Sequence, residues 1–243
     1  MIGGGRSVEE TLERFVQEVR ELYAEDLLAV ILYGSAAAGE YVPGRSDINV
    51  AVVLRQLTPA LLRKASGRVH TWRRRGLATP MFLDPDFLRT SLDVFPIEFL
   101  DMQERHRVLW GADLFASLSI GHANLRRQCE QELRGKLLKL RQTYVESAQV
   151  PDLLEHVLST AVSSVVALAR TLLRLAGGDP GGGAEAVLER AQARFGASTV
   201  SLRKAFQLKR GDLRLAGSGI EALYTEVLEE VQGLVRVVDG LAA

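Results

Sequence analysis

Only one cysteine, Cys129, stands in the 243 residues, and the four histidines (His70, His106, His122 and His156) are scattered. A single thiol excludes a disulfide framework or a cysteine-rich zinc site within one chain. The histidines show no metal-ligand spacing, and no Ser-His-Asp or Cys-His set can be assembled. Charge of one sign is lacking too: 30 basic and 30 acidic residues give a net charge of +0. Bulk charge therefore gives no argument for nucleic acid or an anionic membrane. The chain has neither a Walker lysine loop nor a G-x-G-x-x-G run, and "GGDPGGG" (177–183) follows no strand. Long uncharged apolar runs are missing as well. The most apolar segment, 153–176, contains Glu155, His156, Arg170 and Arg174, which suits a buried helix better than a membrane span. The opening "MIGGGRSVEE" has no apolar signal core, so a cytoplasmic protein without a membrane segment is expected.

What is present is ordinary globular material, 47% hydrophobic and 25% charged. Ser7 followed by Glu10 is a capping-box pattern, and Val8, Leu12, Phe15, Val19 and Leu22 continue it at helical spacing to about Tyr23. "LLAVILY" (27–33) reads as a buried strand stopped by Gly34, and "INVAVVL" (48–54) as its hairpin partner. Thr58-Pro59 starts a helix to about Arg75. "TPMFL" (79–83) is a weak strand, "PDFLRTSL" a short helix, and "PIEFLDM" (96–102) alternates as an edge or penultimate strand. From about His122 the character changes to long helices, with "GGDPGGG" the one linker-like stretch, a shorter helix at about 184–194, an irregular segment, and a last helix from about Gly219 to Leu241. The expected fold class is a small mixed α/β (α+β) domain, 1–118, followed by an all-α helical bundle, 119–243.

Chemistry concentrates in "LYGSAAAGEYVPGRSDINVAVVL" (32–54). A glycine ending a strand lets backbone approach a phosphate, and the next residue offers an N–H and a hydroxyl. Acids at alternate strand positions share a face and can hold Mg²⁺ together with substrate phosphates. Here Asp47 is followed two residues later by Asn49, a neutral amide. Between Arg55 and Leu83 lie seven basic residues and no acid. Arg63, Lys64, Arg68, Arg73, Arg74 and Arg75 read first as a solvated helix face, and Trp72 among them as a core residue rather than a base-stacking one.

Strand, Gly34-Ser35, loop with Gly39, then Ser46-Asp47-x-Asn49 on the next strand resembles the polymerase-β-like nucleotidyltransferase superfamily, in particular its minimal and aminoglycoside-type bacterial members. The resemblance covers about 27–115 and, more loosely, the trailing bundle. It implies transfer of a nucleoside monophosphate from an NTP to a hydroxyl of a small molecule or protein, with Mg²⁺. Gly34, Ser35 and Ser46 would serve the phosphates, Asp47 and Asn49 the metal. The family's third acid, on a later strand between apolar residues, would be Glu98 as metal ligand and base, with Asp93 and Asp101 as alternatives. Asn49 for a carboxylate, Ala38 where many members carry Arg, and Glu98 where Asp is commoner are departures from the pattern. The alternative is therefore a catalytically impaired protein of the same fold that binds nucleotide or a partner. Nucleic acid is not expected as a partner, and a homodimer would form through the helical domain.

Overall fold

The computed structural model describes residues 7–39, 41 and 47–241. The chain divides into two compact units, Met1–Ile120 and Gly121–Ala243.

The first unit is a four-stranded mixed sheet between helices. Ser7 caps α1 (Val8–Tyr23) by accepting from the Glu10 N–H at 3.1 Å. β1 (Leu27–Tyr33) pairs antiparallel with β2 (Asn49–Leu54), and α2 (Pro59–Arg74) returns the chain so that β3 (Met81–Leu83) runs parallel to β2. Next come α3 (Pro85–Thr90) and α4 (Pro96–Glu104), then β4 (His106–Gly111), antiparallel on the free side of β1. The sheet order is β3-β2-β1-β4.

The period-two alternation of β1 and β2 splits the core into two faces. Val30, Leu32, Val50 and Val52 pack with Leu12, Phe15 and Val19 of α1 and with Trp72 of α2. Ala29, Ile31, Ala51 and Val53 pack with Leu88 of α3 and with Phe99 and Met102 of α4. Both strands are thus buried on both sides, which is why they read as continuous apolar runs.

Three elements differ from the sequence reading. "PIEFLDM" is helix α4, not a strand. Ile97 and Phe99 are buried at a spacing of two, which mimics alternation, but Met102 continues at i+3, and Pro96 at the first turn suits a helix start. The strand is instead "HRVLWG", an edge strand whose residues are at most half-buried, so no apolar run announces it. In the second unit, the segment taken as irregular contains α8 (Val200–Arg210), whose buried face consists of Ser201, Leu202, Ala205 and Leu208 only.

Among its described residues the regular elements of that second unit are all helices: α5 (His122–Ser147), α6 (Pro151–Leu175), α7 (Ala184–Phe195), α8 and α9 (Gly217–Gly240). By length and composition α6 could cross a membrane, yet Leu154, Leu158, Val162, Val165, Ala169 and Leu172 are buried in the bundle. "GGDPGGG" is pinned: the Arg170 guanidinium donates to the carbonyls of Pro180 and Gly182, both at 2.6 Å. Glu230 of α9 caps α8, accepting from the N–H groups of Ser201 (3.0 Å) and Leu202 (2.8 Å). Cys129 is buried, and burial, with Glu132 adding to it, pushes its thiol up to about 12. A thiol so rarely ionised at neutral pH is a packing residue, not a nucleophile.

Candidate active site

The end of β1 and the beginnings of β2 and β4 meet at one edge of the sheet. Tyr33 lies opposite Asn49 on one side and His106 on the other, so Asn49, Tyr33 and His106 form a row across three strands. Directly opposed residues share a face, here the one covered by α3 and α4, and Tyr33 packs against that core. Its phenol is pushed up by burial.

Gly34 turns the chain out of this row. Its φ of +77° favours glycine, and the following 3-10 turn spans Gly34–Ala36. Its N–H is spent on the sheet, donating to the Arg105 carbonyl at 3.0 Å, and its own carbonyl accepts from Ala37 and Ala38 at 3.1 Å each. Gly34 is therefore a conformational residue, and phosphate donors must come from its neighbours. Ser35, half-buried in the first turn, is one such neighbour. Asn49 is another: its Nδ2 lies 3.4 Å from where a Cβ on Gly34 would stand. Asp47 is exposed, two residues before Asn49. Ser46 lies outside the described residues.

The expectation that places Glu98 at this edge needs 96–102 to be a strand, and that segment is α4. It sits exposed in the first turn of α4, whereas the other end of that helix, at Arg105, meets Gly34. Seven residues of rise at about 1.5 Å each separate Glu98 from that contact by roughly 10 Å. Asp101, the alternative to Glu98, stands on the same helix. The strand that borders β2 is β3, and from Leu77 to Leu83 the chain reads "LATPMFL", without an acid. Among the described residues no group of three His, Cys, Asp or Glu side chains is placed to hold a metal ion. The donor set thus does not fit a pair of cations. Among the described residues of β2 and the turn before it, one carboxylate, Asp47, with the amide of Asn49, is what this edge offers a cation shared with substrate phosphates.

His106, one of the four scattered histidines, is tightly held. Its Nδ1 lies 2.9 Å from the Gln103 carbonyl, its Nε2 3.0 Å from Asp113, and its ring meets Phe115 edge-on at 5.6 Å. Burial works against the Asp113 carboxylate, but the Ala116 N–H, His106 and the Phe115 N–H together hold it below the usual range. Gln103 donates its amide to the Phe115, Ala116 and Leu118 carbonyls. No motif pointed to this cluster, although its members lie within residues 103–118, at the end of α4, the start of β4 and the turn that follows it.

Trp72 is fully buried against Phe15, its indole N–H donating to Glu18 at 2.8 Å, so it stacks on no base. Arg63, Lys64, Arg68, Arg73 and Arg74 lie exposed on α2, while Arg75 pairs with Glu18.

Residues 12–108 match the family model of the nucleotidyltransferase domain. The likeness to the nucleotidyltransferase domain family is carried by this segment. The matched part, about two fifths of the chain, spans α1 to β4 and contains the whole strand-end edge. Its sheet and its Gly-Ser…Ser-Asp pattern fit the polymerase-β-like nucleotidyltransferase superfamily. Among solved structures, the crystal structure of the spectinomycin adenyltransferase AAD(9) from Enterococcus faecialis with ATP and spectinomycin is similar, with a TM-score of 0.57. It shares 10% identity, over 93% of this chain and 100% of that one, so the likeness concerns the fold: a nucleotidyltransferase domain followed by helices. No curated protein sequence matches the chain at a significant level.

Proposed function

We propose that the protein transfers a nucleoside monophosphate from an NTP to a hydroxyl of a small molecule or a protein, with low turnover. The observation that carries this is the convergence of the Gly34–Ser35 turn with Asn49 at the strand edge that Asp47 leads into, inside a nucleotidyltransferase domain. Ser35 would hold the phosphates, with Ser46 supporting the loop. Asp47, with Asn49 beside it, would hold Mg²⁺ shared with the triphosphate. When bound, the cation offsets charge on the phosphates being parted. The similar adenyltransferase was crystallised with ATP and spectinomycin, which supports a small hydroxylated acceptor here. Glu98 has no part in this proposal. Low turnover follows from acid count, since a single carboxylate polarises and places a cation less well than two or three.

The test is incubation with each labelled NTP, Mg²⁺ and a panel of hydroxylated acceptors, following pyrophosphate release. Release that disappears in Asp47→Ala and Ser35→Ala supports the proposal. Release that persists undiminished in both would sink it.

A second reading is nucleotide binding without transfer, in a regulatory or partner-binding role. The amide at position 49 and the acid-free β3 favour it. Nucleotide affinity with no pyrophosphate release from any acceptor, gained on Asn49→Asp, would select this reading. The cytoplasmic location and a homodimer through the bundle remain proposals from sequence.

A further inference from the structure

We propose that Asn49 serves the phosphate chain as a hydrogen-bond donor, so that the site binds a nucleoside triphosphate without a divalent cation. This rests on reading the Gly34–Ser35 turn as the phosphate site, and concerns what holds the nucleotide there rather than what transfers it.

Three observations carry it. First, the Asn49 carboxamide presents Nδ2 to the turn, 3.4 Å from the position of a Cβ on Gly34. At that distance the amide rests in ordinary contact with the turn and places a donor next to it, beside the segment that carries Ser35. Second, the Gly34 N–H is committed to the Arg105 carbonyl, so the turn itself is short of one donor that an anion would want. An amide NH₂ at position 49 supplies donors where a carboxylate would supply only acceptors. Third, the usual reason for a cation at such an edge is neutralisation of several carboxylates facing a polyanion. Here, among the described residues, Asp47 is the acid that leads into β2, it is exposed to screening solvent, Asp113 is engaged by His106, and β3 contributes none. A carboxylate at position 49 would repel an unneutralised triphosphate and make the cation obligatory for binding. The amide removes that repulsion and adds a charge-assisted hydrogen bond. Binding and transfer therefore separate: the nucleotide is held by donors, and the cation serves the chemical step alone.

The experiment is calorimetric titration of the full chain with ATP, GTP, CTP and UTP, in EDTA and in Mg²⁺ at matched ionic strength. Wild-type affinity for the preferred nucleotide is expected to agree within about threefold in the two conditions. Asn49→Asp weakens binding in EDTA by about tenfold or more, with Mg²⁺ restoring it. Asn49→Ala weakens binding by about tenfold in both conditions alike, because it removes the donor without adding charge. This second variant keeps the question answerable where the aspartate variant fails to fold, as judged by circular dichroism. Wild-type binding that requires Mg²⁺ overturns the inference and leaves the nucleotide reading standing. No binding of any of the four nucleotides in either condition overturns both.

Discussion

The indole N–H of Trp72 donates to Glu18 over 2.8 Å, and the Arg75 guanidinium takes the other carboxylate oxygen at the same distance. One glutamate on α1 thereby ties both the last turn of α2 and the residue after it, joining the two helices that cover one face of the sheet. Burial opposes ionisation of Glu18, but Arg75, Trp72 and Arg14 outweigh it and hold its carboxyl below the usual range.

Removing this carboxylate strands a fully buried donor. Glu18→Ala is expected to destabilise the first unit by about 2 kcal/mol, the cost of leaving the indole N–H unpaired. Urea unfolding followed by Trp fluorescence measures it, and a loss under about 0.5 kcal/mol would show that Trp72 finds another acceptor.

The same contact fixes a pH dependence. Because the folded pKa is depressed, the stabilisation is complete above the ordinary glutamate range and is lost as pH falls through that range and below it. The stability gap between wild type and Glu18→Gln should therefore be largest near about pH 7 and close as pH falls below about 4. A gap that widens on acidification would contradict the assignment.

Gly111 is held at φ +83°, and a Cβ there would stand 2.1 Å from the Leu28 carbonyl oxygen. Gly111→Ala must push β4 off β1, at about 3 kcal/mol or more. Gly39, also at positive φ but with nothing within 4 Å among the described residues, should lose only about 1 kcal/mol on the same change. Equal melting temperatures for the two variants would refute the clash.

Asn49→Asp restores a carboxylate beside Asp47. In the presence of Mg²⁺ it should raise pyrophosphate release by about tenfold or more over wild type. An unchanged rate would mean that acid count at β2 does not limit turnover.

Glu98→Gln tests the opposite expectation. From the first turn of α4 it should leave NTP affinity and pyrophosphate release within about twofold of wild type. A tenfold fall in release at unchanged affinity would return Glu98 to the reaction.

The sequence by itself determined the two central strands, because burial on both faces demands uninterrupted apolar runs, and it determined α1, α2, α5 and α6 through helical spacing and caps. It also located the Gly34–Ser35 turn and the unusual amide at position 49, since residue type alone fixes what a side chain can donate or accept. What it could not settle was which segments border those strands. "PIEFLDM" satisfies a strand period over two positions and a helix period over the next, and only packing of Phe99 and Met102 against the sheet decides for helix. "HRVLWG" becomes a strand because β1 has an unpaired edge to offer it, a demand made by a segment some 75 residues away (roughly) in the chain. The acids at the site followed the same division. Asp47 and Asn49 are legible as neighbours in sequence, but whether another acid joins Asp47 depends on strand order, and tertiary structure places the acid-free β3, not Glu98, beside β2.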